Sequence, residues 1–135
     1  MNIHIMLGAA LLVGLLSVEE AAATPAAVPI YGSHADGLTE SQKVERLIAY
    51  LRGLDGAVFI RNGSEHSNTE AADHLQAKWE KHKNEVHTAM EFIENLASAS
   101  GLTGIDYTIR FPDGTIRTTR EVLMEELKRL EQQQP

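Results

Sequence analysis

Four times along the chain a Ser or Thr is followed three residues later by Gln or Glu, at the head of an apolar-periodic run: Thr39-x-x-Gln42, Ser67-x-x-Glu70, Thr88-x-x-Glu91 and Thr118-x-x-Glu121. In such a capping box the hydroxyl accepts from a first-turn backbone N–H, and the longer side chain reaches back to the cap residue's own N–H. Each box is therefore a place where a helix begins. The stretches left between them are too short for anything but turns and brief strands.

The first helix carries Val44, Leu47, Ile48 and Leu51 at helical spacing and ends near Gly53. The second runs from Ser67 to about Val86, with Ala71, Leu75, Trp79 and Val86 on one face. A break is expected near His87. The third helix uses Phe92, Ile93, Leu96 and Ala97 and stops at Gly101, where a left-handed cap would sit. The last carries Val122, Leu123, Leu127 and Leu130 before a Gln-rich end. Ala57 to Arg61 reads as a short strand turning at Asn62-Gly63, with its pairing partner expected far away in sequence. Tyr107 to Phe111 alternates like a half-buried strand, Pro112-Asp113-Gly114 is a turn, and Thr115 to Thr118 returns as its hairpin partner. These elements predict an α+β fold: one small domain of about four helices packed on a minor antiparallel sheet.

The amino-terminal end is different in kind. An apolar run from Ile5 to Leu16 precedes Ala21-Ala22-Ala23, a small-x-small site for signal peptidase, so residues 1–23 read as a signal peptide cut near Ala23. The run is shorter than the roughly 20 residues a spanning helix needs, so no membrane segment is expected after cleavage. Residues 24–38 are rich in Ala, Pro and Gly and read as a flexible leader, 39–131 as the domain and 132–135 as a frayed tail. Removing residues 1–23 takes away Glu19 and Glu20 and no Lys or Arg, which moves the formal net charge from -7 to -5. That acidic balance argues against nucleic acid as a partner. With no cysteine in the chain, the core alone must hold an exported domain together.

Phe59-Ile60-Arg61-Asn62-Gly63 with His66, Ala71-Ala72-x-His74-Leu75-x-x-Lys78, Phe92-Ile93 with Ala97-Ser98-x-Ser100, and Thr103-Gly104 before Tyr107 together resemble the YfeK-like family of small exported bacterial proteins. The resemblance covers roughly Leu47 to Leu127. It implies a periplasmic protein of a Gram-negative cell with a domain of unknown function, and carries over no activity, substrate or cofactor. Its pattern places cysteines at the positions of Ala57 and Phe111 and a Trp near Val122, where this chain has other apolar residues. If those cysteines are bonded partners, the resemblance implies that the strand at Ala57 lies beside the strand ending at Phe111.

The densest polar cluster surrounds the first strand's turn: Arg61, Asn62, His66, His74 and Lys78 are the candidate ligand-binding residues. His66, Glu70, His74, Lys78 and His82 recur every four residues, a row that drifts slowly around a helix, with His82 expected toward the core side. The row lacks H-E-x-x-H and puts a lysine where a ligand would be wanted, so neither a metal nor another cofactor is expected. Arg61, Asn62, His66 and His74 would converge where a strand ends and a helix starts, and backbone N–H groups there favour an anion. Plainer readings stand beside this one. Arg61 would pair with Glu65 or Asp73, His74 would bond a backbone carbonyl or Glu70, and Glu125, Glu126, Lys128 and Arg129 would be a solvated helix face. Ser98 and Ser100 lack the G-x-S-x-G elbow of a serine hydrolase and are expected to bond local backbone. The leading expectation is a non-catalytic binding or accessory module for a small anionic ligand or a segment of an envelope protein. The alternatives are a periplasmic hydrolase using His66 or His74 with Arg61, and a purely structural domain.

Overall fold

All four capping boxes close, each with both of its reciprocal bonds, and each starts a helix at the next residue. The structure is a computed structural model that describes residues 37–134, so the expected signal peptide and nearly all of the expected leader lie outside the described residues. The helices are α1 (Glu40–Arg52), α2 (Asn68–His82), α3 (Ala89–Glu91) and α4 (Thr119–Gln132). After its single turn α3 widens into a π-helical stretch, Phe92–Ala97, whose Phe92, Ile93, Leu96 and Ala97 are all buried. The Ser98 hydroxyl donates to the Ile93 carbonyl at 2.5 Å and closes that wide turn. The expected left-handed stop at Gly101 is not used. The helical winding has already ended at Ala97, and the positive φ of this loop falls on Gly104 (φ 70), whose N–H donates to the Ser100 carbonyl.

The sheet has four antiparallel strands, β1 (Val58–Arg61), β2 (Ser64–Ser67), β3 (Thr108–Arg110) and β4 (Ile116–Thr118), in the order β2-β1-β3-β4. The expectation of a distant partner for β1 is half right. It pairs with distant β3 on one side and with adjacent β2 on the other. Asn62 (φ 51) and Gly63 (φ 78) both lie in the left-handed region, the two-residue turn whose twist matches a hairpin. Ser64-Glu65-His66-Ser67 shows no apolar alternation because it is an edge strand, and only His66 is partly buried.

Phe59 and Ile109 face each other across β1 and β3 and are buried with Leu47, Leu51, Phe92, Ile93 and Leu123 from the helices. Each such side chain contributes about 1.5–3 kcal/mol by leaving water. One expected surface is partly interior: Glu126 on α4 is buried and bonded to Arg129, while Glu125 stays exposed and pairs with Arg117 at 2.6 Å.

The β1–β3 register, continued one residue from Val58 opposite Arg110, sets Ala57 opposite Phe111. The neighbourhood implied by the resemblance is therefore present without its cysteines. Gly56 (φ 77) precedes this pair, and a Cβ there would stand 3.1 Å from the Pro112 ring. The double substitution Ala57→Cys with Phe111→Cys should close a disulfide under air oxidation. It should raise unfolding stability by about 2–4 kcal/mol over its reduced form, read by denaturant titration with and without reductant.

Candidate functional site

Side chains alternate across a strand, so the residues two apart from Phe59 share its helix-facing side. Arg61 is one of them. The β1–β2 register sets His66 directly opposite Phe59, and the β1–β3 register, carried one step past Ile60 and Thr108, sets Tyr107 opposite Arg61. On the far side of β3 the Thr119 N–H donates to the Tyr107 carbonyl at 2.8 Å. Arg61, Tyr107 and Thr119 thus form one row across the inner face of the sheet, with His66 beside it. Above them lies α2. Its four-residue repeat puts Glu70 and His74 along one edge, and Ala71 and Leu75 on the side toward the core.

Between helix and sheet is a cavity of about 160 Å³ lined by Phe59, Arg61, His66, Ala71, His74, Leu75, Tyr107 and Thr119, with the exposed Glu70 at its margin. Three polar atoms of its lining residues, His66 Nε2, His74 Nε2 and Thr119 Oγ1, are buried without a hydrogen-bond partner. Such a group costs about 1–3 kcal/mol when left unmade, which is why folded proteins contain few.

Arg61 makes no ion pair among the described residues. The two carboxylates expected for it are taken, Glu65 by Arg110 at 2.8 Å and Asp73 by Arg52 at 2.8 Å. His74 likewise bonds neither a carbonyl nor Glu70, and meets Tyr107 edge-on with ring centroids 6.2 Å apart. Burial lowers the His74 pKa first, and the charges of Arg61, Lys78 and His66 lower it further. The imidazole is therefore neutral at pH 7, an uncharged group in an otherwise cationic corner.

The other expected site residues stand outside the cavity. Asn62 is exposed and turned to the loop after the π-helical stretch, where its Nδ2 donates to Ser100 Oγ at 3.3 Å and its Oδ1 accepts from Thr103 Oγ1 at 2.7 Å. It fastens the hairpin turn to that loop. Lys78 donates to the Leu96 carbonyl at 2.6 Å, at the carbonyl-rich end of the π-helical stretch, and its Nζ sits 5.3 Å from the Tyr107 ring centre. Burial, then Arg61, pushes its pKa down. Lys78 also donates to the Tyr107 hydroxyl at 3.4 Å and so steadies that wall of the cavity. His82 does not join the row inward: it is half-buried and bonded to Glu85 at 2.9 Å.

The helix start is not the anion site it was expected to be. The Glu70 N–H already donates to Ser67 Oγ, and the Ser67 N–H to the Glu70 carboxylate, whose pKa these bonds lower. The capping box spends two of the donors and adds a negative charge. Ser98 is bonded to Ile93, and Ser100 accepts from the N–H groups of Leu102 and Thr103 and from Asn62, as serines at a helix end do. Tyr107 and Thr119 are site residues that inspection of the sequence missed. Extending both strand pairings by one residue would have found them.

The fold and the cavity define a small α+β domain with a ligand-sized chamber between a capped helix and a hairpin-built sheet. Residues 38–131 match the Family of unknown function (DUF5329), and the chain belongs to that family. It is similar to the uncharacterised protein YfeK of Salmonella typhimurium, 34% identical over 68 residues that make up 50% of this chain and 57% of that protein. The matched segment is thus little more than half of that relative's length. No solved structure matches the chain. Among the described residues no helix is long and apolar enough to cross a membrane.

The lowered His74 pKa has a consequence for stability. As pH falls, the unfolded chain takes up the His74 proton before the folded one does, so the stabilisation is complete above about pH 6.5 and declines below it. His74→Gln should therefore flatten the fall in melting temperature between pH 7 and pH 5, measured by calorimetry beside the parent chain.

Proposed function

We propose that this domain is a non-catalytic binding module that holds a small anion in the cavity beneath α2. The observation that carries this reading is that three of the residues lining the cavity with Arg61 hold a buried, unpartnered polar atom: His66 Nε2, His74 Nε2 and Thr119 Oγ1. With its proton on Nε2 each imidazole presents a donor, the threonine hydroxyl presents another, and the guanidinium supplies charge and a two-pronged donor. An acceptor-rich ligand answers all four. The size of the chamber favours a small molecule over a segment of a partner protein. The two serines weighed as nucleophiles beside His74 for the hydrolase alternative are bonded elsewhere, which favours binding over that reading.

The groups around His74 set the pH dependence. Burial and the charges of Arg61, Lys78 and His66 oppose its protonation, and the Glu70 carboxylate at the cavity margin interacts with His66. A bound anion favours protonated His74, so binding should tighten as pH falls from 7.5 to 5.5. Acetate titrated into the full chain should shift the His74 imidazole resonances saturably and raise the pH midpoint of its titration. Arg61→Gln should weaken that binding about tenfold or more, the scale of a lost charge-assisted pair. Resonances that stay put as acetate reaches saturating concentrations would sink the reading.

We further propose that the chain works in the periplasm. The apolar run from Ile5 to Leu16 with Ala21-Ala22-Ala23 behind it supports export. Expression of the full chain in a Gram-negative host should yield periplasmic protein whose intact mass begins near Thr24. A cytoplasmic product that retains residues 1–23 would overturn this.

A further inference from the structure

The cavity has a second property that an anion site alone does not require. Its walls are largely apolar: Phe59, Leu75 and Tyr107 are buried side chains with Ala71 between them, and only one full cation, Arg61, lines it. An inorganic dianion is poorly served here. It would want several donors from a helix start or a second cation, yet the Ser67 and Glu70 N–H groups are spent on the capping box and Lys78 is bonded to Leu96. The Glu70 carboxylate at the margin opposes a second negative charge as well.

We propose that the chamber is built for a monocarboxylic acid with a compact apolar body of about the bulk of benzoate. Its carboxylate would meet Arg61, His66 and His74, and its body would lie against Phe59, Leu75 and Tyr107. The volume agrees with this: about 160 Å³ here, against about 150 Å³ for an engineered apolar cavity that accepts benzene. Thr119 Oγ1 is a further donor within reach of an acid that presents both oxygens. This inference rests on the anion-binding reading above and adds the apolar half of the ligand.

The test uses the full chain and four probes, benzoate, acetate, inorganic phosphate and benzyl alcohol, titrated by calorimetry at pH 6.5. Benzoate should bind at least tenfold tighter than each of the others, because acetate and phosphate lack the body and the alcohol lacks the charge. Ala71→Leu, which fills the chamber from α2 with a good helix former, should abolish benzoate binding and leave the far-ultraviolet dichroism unchanged. Arg61→Gln should reduce benzoate binding at least tenfold and leave benzyl alcohol unaffected, and it serves if Ala71→Leu does not fold. Equal binding of acetate, phosphate and benzoate would overturn the proposal while leaving the anion reading in place. Benzyl alcohol binding as tightly as benzoate would overturn both, as would no binding by any probe.

Discussion

The pleat of β1 is the constraint on which the site depends. Phe59 must face the helices to enter the core, and a strand repeats its facing every second residue, so Arg61 is carried to the same side. The antiparallel registers then leave no freedom about its neighbours. His66 stands across from Phe59, Tyr107 across from Arg61, and Thr119 beyond Tyr107. A slip of one residue would turn Phe59 outward together with Arg61, so the apolar demand that fixes the core also fixes the cation. The Asn62-Gly63 turn sets the β1–β2 register, and the bonds from Asn62 to Ser100 and Thr103 hold that turn against the neighbouring loop.

What results is a polar corner that the fold itself leaves unfinished. The charges near the cavity fall into two groups. Lys78 is satisfied by the Leu96 carbonyl, and Glu70 by the capping box, so each serves the scaffold. Arg61 has no ion-pair partner among the described residues, and His66 Nε2, His74 Nε2 and Thr119 Oγ1 are buried without a hydrogen-bond partner. Each buried unmade bond costs about 1–3 kcal/mol, against a net stability of about 5–15 kcal/mol for a domain of this kind. Three around one chamber are hard to reconcile with packing as their purpose, since ordinary apolar residues there would relieve the cost. That weighs against a purely structural domain.

The legible parts of the chain were those whose signals are local. A capping box is contained within four residues, so all four helix starts could be read, and the hairpin at Pro112-Asp113-Gly114 announces itself through its turn. β2 could not be read from its residues, because an edge strand needs no apolar alternation and its pairing is dictated by the turn before it. The widening of the third helix after Glu91 carries no sequence mark that separates it from an ordinary apolar stripe. Arg61, His66 and His74 stood out because they crowd one turn and the helix after it. Asn62 and Lys78 stood out equally, but their partners, Ser100, Thr103 and Leu96, come from an element too far along the chain to be seen. Tyr107 and Thr119 were hidden for the same reason: their relation to Arg61 is across strands, not along one.

The closed capping box at the head of α2 also decides what sort of binding this corner supports. Many anion sites draw on a helix start, whose backbone donors are fixed in place and carry the same partial charge at every pH. Here the Ser67 hydroxyl and Glu70 carboxylate consume donors of that first turn, and the carboxylate complements the helix dipole in place of a ligand. Attraction has to come from side chains on the strands and from His74 one turn further on. Of these only Arg61 is charged at every pH a cell meets, while burial and its cationic neighbours hold His74 neutral until the medium turns acidic. A site assembled this way gains positive charge as the pH falls and His74 takes up its proton. On the binding reading proposed above, an anion here would be held more tightly as the pH falls.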